Sequence, residues 1–203
     1  MTARLPDPGT VRGEVSREIL LHRELLVPPV LETGALRKEG AWWADFREQL
    51  GFAREDWTGT DMQAGPTVDL VFKLGTLEGS LPREAYNSVL CAETLEHVSE
   101  PFLALLDLKA AMRPGAWILI TMPFAFPIHD FPDDYWRFSP SGLRMMLEDA
   151  GFVNVETHGF NWFSMRLQDH LLDEPIAKRE VPMHVFGKGQ CPHNGGAMCT
   201  RDS

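Results

Sequence analysis

A chain of 203 residues, 44% apolar and 24% charged, supports one globular domain with a sizeable core and leaves little room for a second. Its formal charge of −10 argues against nucleic acid held by bulk electrostatics, and no apolar run is long enough to cross a bilayer. The polar N-terminus MTARLPDPGTVRGEV lacks an apolar signal core, so the cytoplasm is the expected compartment, and Cys91, Cys191 and Cys199 are too scattered for a disulfide framework.

Residues 1–14 read as a loose arm, 15–188 as a single domain and 189–203 as a mobile tail, with glycine already frequent from Gly187. Val15 to Val27 carries apolar residues among charges in a helical pattern that Pro28 and Pro29 end. A short strand at Val30 and Leu31 runs into Glu32, Thr33 and Gly34. A helical pattern follows from Ala41 to Leu50. Trp57–Asp61, Val68–Phe72 and Asn87–Cys91 read as strands two to four. A helix from Pro101 to Met112 opens with proline in its first turn and stops at Arg113-Pro114-Gly115. Ala116–Met122 is the fifth strand. Ser139 caps a helix that Gly151 closes, and Phe152–Thr157 is the sixth strand. Phe163–Leu172 reads as helix and Met183–Phe186 as the last strand. Alternating strands and helices predict an α/β fold with a mainly parallel sheet, whose loops of interest share one edge.

Gly34 and Gly40 flank a strand-to-helix turn where glycine lets backbone approach a ligand. Asp61 ends the next strand, in position to accept hydrogen bonds from two ribose hydroxyls. The glycine spacing departs from G-x-G-x-x-G, which disfavours a pyrophosphate and a nucleotide-sugar enzyme. After Pro123 comes a loop dense in acid–base groups: His129, Asp130, Asp133, Asp134, Tyr135, Trp136 and Arg137.

The stretches VLETGALRKEG, TGTDMQAGPTVDL, NSVLCAETLEHV, RPGAWILITMPF and PIHDFPDDYWRFSPSGL occur in the order seen in class I S-adenosylmethionine-dependent methyltransferases of the type 11 group. The resemblance spans Val30 to Thr157, with an echo at Val185–Lys188. It implies a Rossmann-like, mainly parallel seven-stranded sheet with helices on both faces, and S-adenosyl-L-methionine as cofactor. By position it assigns Glu32, Thr33 and Gly34 to the methionine part, Asp61 to the ribose and Met62 to the adenine flank. Leu74 and Gly75 fall to the adenine edge, Cys91, Ala92 and Glu93 to the sulfonium, and His97 to the active cavity. Lys73 stands where the group usually has an aspartate that bonds the adenine amino group, and a lysine cannot accept that bond.

Methyl transfer rests mostly on positioning, with a base needed for a hydroxyl or protonated amine. His129 is the candidate base. Asp133 is placed to orient it or take a proton, and Tyr135 to bond the acceptor or the cofactor's carboxylate. Arg137 is expected to pair with Asp133 or Asp134. Trp136 and Phe138 serve as an apolar wall or as core anchors. Residues 160–182, with Asn161, Trp162, Met165, Arg166, Gln168 and His170, have the mixture of an acceptor-facing cover. His129, Asp130, Asp133 and Asp134 are crowded into one loop with no distant acid to complete a metal set. Cys191, His193 and Cys199 lack a C-x-x-C pair, so no metal is assigned. The expected activity is methyl transfer to an O or N atom of a small molecule such as a sugar or secondary metabolite, with no nucleic-acid or membrane partner and a homodimer allowed. The rival is a protein of the same fold that binds a ligand or partner without catalysis.

Overall fold

A computed structural model describes residues 10–37, 45–76, 81–129, 132–165 and 179–193. Seven strands form one sheet in the order β3-β2-β1-β4-β5-β7-β6. They are β1 (Val30–Thr33), β2 (Trp57–Asp61), β3 (Leu70–Val71), β4 (Tyr86–Ala92), β5 (Met112–Pro123), β6 (Val153–Met165) and β7 (Arg179–Gln190). Strands β1 to β5 pair in parallel, and β7 runs antiparallel between β5 and β6.

The central strands read as apolar runs because both faces are covered. Alternation sends Leu31, Val89, Cys91, Ile118 and Ile120 to one face, where α3 (Pro101–Ala111) and α4 (Pro140–Asp149) pack. Val30, Leu90, Leu119 and Phe186 go to the other, against Val15 and Ile19 of α1 (Val11–Leu21). Helix α3 buries Ala104, Leu105, Leu108 and Ala111, the spacing of one helical face. The Ser139 hydroxyl caps α4 by accepting from Gly142 N–H at 3.1 Å, as its sequence predicts, and Gly151 closes the helix at φ +79°.

The chain steps outward from β1 to β2 and β3, then returns to β4 on the other side of β1. This reversal falls between β1 and β4, and open sheets of this kind hold ligands beyond the carboxyl ends of the strands at such a point. The register brings Thr33 level with Thr60 and Cys91, while Ala92 lies beside Thr121. His184 of β7 lies beside Pro123 at the same edge.

Several elements differ from the sequence reading. Phe163 continues β6 and pairs with Val181, where a helix over 163–172 is expected; residues 166–172 lie outside the described ones. The β-branched and aromatic run of β6 finds its partner in a distant segment, which local periodicity cannot reveal. Strand β7 continues through Gly187–Gln190 instead of giving way to a loose tail at Gly187, since Gly187 fits beneath Leu143 where a Cβ would come within 2.7 Å of its side chain. The helix expected over 41–50 is present as one turn, α2 (Phe46–Gln49), with residues 38–44 outside the described ones. Helix α1 ends at Leu21, and a separate turn spans Arg23–Leu25.

Candidate active site

At the end of β1, Gly34 adopts φ +64°, and a Cβ there would lie 2.5 Å from the Thr94 hydroxyl oxygen. The turn that follows is stitched to the loop after β2. Asp61 accepts from Leu36 N–H at 3.2 Å through one carboxylate oxygen and from Gln63 N–H at 3.0 Å through the other. Thr67 donates to Ala35 O at 2.5 Å and accepts from Arg37 N–H at 3.0 Å. Glu32 is buried and bonds inward, accepting from Trp57 Nε1–H at 2.8 Å and pairing with the Arg37 guanidinium. Burial pushes its carboxyl upward against the opposing pull of Arg37. Thr33 is buried beside it, and Gly40 lies outside the described residues. Met62 is half exposed, Leu74 is buried in the core and Gly75 (φ +71°) donates to Asp107 at 2.9 Å.

Cys91 is fully buried at the end of β4, and burial pushes its thiol up to about 12, so it is no nucleophile. Ala92 follows. Glu93 then takes φ +48°, a left-handed conformation that non-glycine residues adopt at a cost, and donates its N–H to Thr121 O at 2.9 Å. A tight turn, Leu95–His97, is pinned by the fully buried Leu95. It carries Glu96 and His97 into the loop that follows β5. Glu96 O accepts from Tyr135 N–H at 2.8 Å, and Trp136 Nε1–H donates to Val98 O at 2.9 Å. Trp136 stacks on Phe138 with centroids 5.7 Å apart, so both anchor the loop.

Within this frame, Arg137 clasps Asp134 through two hydrogen bonds of 2.5 and 2.7 Å and holds its carboxyl well below the usual range. Asp134 accepts from His129 N–H at 2.8 Å and lies 3.2 Å from Nδ1 of the same ring. The carboxylate beside the His129 ring is thus Asp134, the neighbour of Asp133, and the same Nδ1 faces Pro127 O at 3.3 Å. Asp133 instead accepts the Tyr135 hydroxyl at 2.6 Å through its side chain, and its carbonyl faces His97 Nδ1 at 2.6 Å. Asp130 lies outside the described residues.

Three ligand-bearing atoms converge: one carboxylate oxygen of Glu96 and a ring nitrogen each of His97 and His129, all within 4.8 Å of one another. The Glu96 carboxylate is fully buried with no hydrogen-bond partner on either oxygen, and burial and nearby Glu93 raise it well above the usual range. His184 is buried behind Phe126, its Nε2 3.6 Å from Glu93, and burial lowers its ring to about 4. Glu96, His184 and the position of Asp134 beside His129 escape sequence reasoning. A charged residue inside the apolar frame of Leu95 and Val98 is the one signal available for Glu96. Of the suggested cover, Trp162 is exposed and Asn161 donates to Met183 Sδ at 3.4 Å on the β6–β7 hairpin; Arg166, Gln168 and His170 lie outside the described residues. Among the described residues no helix is long and apolar enough to cross a membrane.

No family model and no curated protein matches the chain. Solved structures do. A S-adenosylmethionine-dependent methyltransferase from Archaeoglobus fulgidus superposes with TM-score 0.61 at 15% identity, over 87% of this chain and 92% of that one. The Burkholderia thailandensis 1,6-didemethyltoxoflavin-N1-methyltransferase, bound to its substrate and S-adenosylhomocysteine, gives 0.55 at 17% identity over 87% and 76%. A methyltransferase from Aquifex aeolicus gives 0.54 at 18% over 91% and 93%. On these superpositions the chain has the fold of the S-adenosylmethionine-dependent methyltransferases.

Proposed function

We propose that the protein transfers a methyl group from S-adenosylmethionine to an O or N atom of a small-molecule acceptor. The observation that carries this reading is the meeting, at one sheet edge, of Asp61 and the Gly34 turn with the Glu96–His97–His129 cluster. The donor set fits the cofactor. Each Asp61 oxygen accepts one backbone N–H and keeps a further lone pair for a ribose hydroxyl. Glu32, Thr33 and Gly34 would form the bend beneath the methionine portion, Met62 would flank the adenine, and Cys91, Ala92 and Glu93 would border the sulfonium. When bound, the cofactor supplies an electrophilic methyl group. His129, oriented by Asp134, is assigned to the proton that the acceptor atom gives up. Asp133 and Tyr135 form the outer rim of the acceptor side, and the Asp133 carbonyl sets His97.

Calorimetry with S-adenosylhomocysteine tests the cofactor half. Asp61→Ala is expected to weaken binding about 100-fold, through the loss of two hydrogen bonds to a charged group. No binding by the unaltered chain would overturn the reading. His129→Ala is expected to retain cofactor binding and lose methyl transfer about 100-fold or more.

A second reading has its own support. Glu32, Arg37 and Leu36 are consumed by contacts within the protein, and Leu36 packs where a Cβ on Gly65 would come within 2.2 Å. A cofactor side so fully engaged suits a protein that keeps the fold and binds a partner or ligand without turnover. The same calorimetry separates the two.

A further inference from the structure

The cluster that ends the acceptor side is unusual in how its protons are arranged. His97 Nδ1 faces the Asp133 carbonyl at 2.6 Å, and a carbonyl only accepts, so Nδ1 carries the ring proton. The lone pair is then on Nε2, which lies 3.6 Å from Glu96 Oε1. His129 repeats the pattern: Nδ1 sits between Asp134 Oδ2 at 3.2 Å and Pro127 O at 3.3 Å, and Nε2 lies 4.0 Å from the same Glu96 oxygen. Two imidazole lone pairs and a carboxylate thus meet with no proton placed between them at hydrogen-bonding distance. The Glu96 carboxylate is sealed from water and has no hydrogen-bond partner. A buried acceptor left that way costs about 1–3 kcal/mol or more when charged.

We propose that Glu96, His97 and His129 bind a divalent first-row transition-metal ion of the Zn²⁺, Co²⁺ or Mn²⁺ class. The distances suit it. Ligand atoms about 2.1 Å from a tetrahedral ion lie about 3.4 Å apart, close to the 3.6 and 4.0 Å found here. The surroundings suit it as well, because metal-bound histidines characteristically donate their second nitrogen to a carbonyl or carboxylate. Asp133 O and Asp134 fill that role, and Arg137 fixes Asp134 in turn. Two imidazoles with one carboxylate favour a borderline ion over Mg²⁺ or Ca²⁺, which prefer oxygen. Three protein ligands leave a coordination position open. This set differs from the loop acids considered from the sequence: it uses His129 but draws its other two ligands from the turn after β4.

The ion's consequence for the reaction rests on the methyltransferase reading above, although its binding does not. With the ion bound, the His129 lone pair is coordinated, so the proton-accepting role given to His129 above holds for the metal-free protein and the ion replaces it in activating the acceptor. An acceptor hydroxyl seated on the open position would lose its proton to solvent more readily, and its oxygen would form the bond to the methyl carbon as the methyl–sulfur bond of the cofactor breaks and S-adenosylhomocysteine leaves with the electron pair.

The test uses the full chain stripped with a chelator and titrated with Co²⁺ and Mn²⁺ in the absence of cofactor. One equivalent is expected to bind, with visible Co²⁺ bands of a low-coordinate nitrogen–oxygen site and a raised thermal midpoint. A tenfold excess of Mg²⁺ should not displace it. Glu96→Gln and His97→Gln should each abolish the bands, and Asp134→Asn should weaken binding about 10- to 100-fold. Double replacement of Cys191 and Cys199 by Ser should change nothing. No saturable binding, or binding that survives Glu96→Gln and His97→Gln in folded protein, overturns the proposal. Cofactor affinity measured on the same stripped protein reports separately on the methyltransferase reading.

Discussion

The two halves of the sheet's ligand edge are built on opposite terms. On the β1–β2 side, the carboxylates and the Thr67 hydroxyl are answered from within the protein: Glu32 by Arg37 and Trp57, Asp61 by two backbone N–H groups, Thr67 by Ala35 and Arg37, which leaves Thr33 Oγ1 and Arg37 Nε as the buried atoms without a partner there. On the β4–β5 side, Glu96 and both ring nitrogens of His184 are buried without a hydrogen-bond partner. Buried polar groups are nearly always satisfied, so a concentration of exceptions marks where a protein expects something from outside. On the proposed function, the first half would serve as scaffold for a ligand that needs shape and two lone pairs. The second is chemistry awaiting its partner.

The same substitution should therefore have opposite signs on the two sides. Glu32→Leu removes one member of a buried pair and strands the Arg37 guanidinium and the Trp57 N–H, so the folded state should lose about 3–5 kcal/mol. Urea denaturation measures it. A loss well under 1 kcal/mol would mean that Arg37 escapes to water and that this side is less closed than its geometry implies. The next largest effect concerns His184. Its ring faces Glu93 and lies among Phe126, Phe160 and His129, and burial lowers it to about 4. Between about pH 4 and the ordinary histidine value of 6.5 the unfolded chain takes a proton that the folded one refuses. The stabilisation is present above pH 6.5 and is lost as pH falls toward 4, to an extent on the order of 3 kcal/mol. His184→Gln should flatten that limb of the stability profile. An unchanged slope would assign it to other groups.

This division also explains what a reader of the sequence can and cannot see. Gly34 and Asp61 are legible because a glycine turn and a strand-ending acid are local patterns with one structural meaning. The Ser139 cap and Gly151 stop are legible for the same reason. His129 stands out as a titratable group in a loop, but Asp133 and Asp134 are equivalent on paper; only Arg137 folding back on Asp134 separates them. Glu96 is one charge among many until Leu95 drags its turn into the core. His184 reaches the edge through an antiparallel return strand paired with β5 from more than sixty residues away, and the pairing of that same strand with β6 is what turns Phe163 from expected helix into strand. Local periodicity carries no information on either.

Glu96→Leu is the counterpart of the Glu32 substitution. In metal-stripped protein near neutral pH it should raise stability by about 1–3 kcal/mol, because an unanswered buried acceptor is replaced by apolar surface. Burial and Glu93 raise the Glu96 carboxyl, so the folded state holds its proton where the unfolded chain has released it. The penalty grows as pH rises from the carboxylate range, and the gain on substitution should be larger at pH 8 than at pH 5. Stability lost at both pH values would show that Glu96 is already satisfied. Tyr135→Phe should have the smallest effect. The hydroxyl is solvent-facing and bonded to Asp133, while His97 is held by the Asp133 carbonyl, which the substitution leaves in place. The thermal midpoint and kcat should be unchanged, with KM for the acceptor raised no more than about twofold, as for other exposed contacts. A tenfold fall in kcat would instead bring Tyr135 to the acceptor itself and extend the unsatisfied half of the edge outward along the loop.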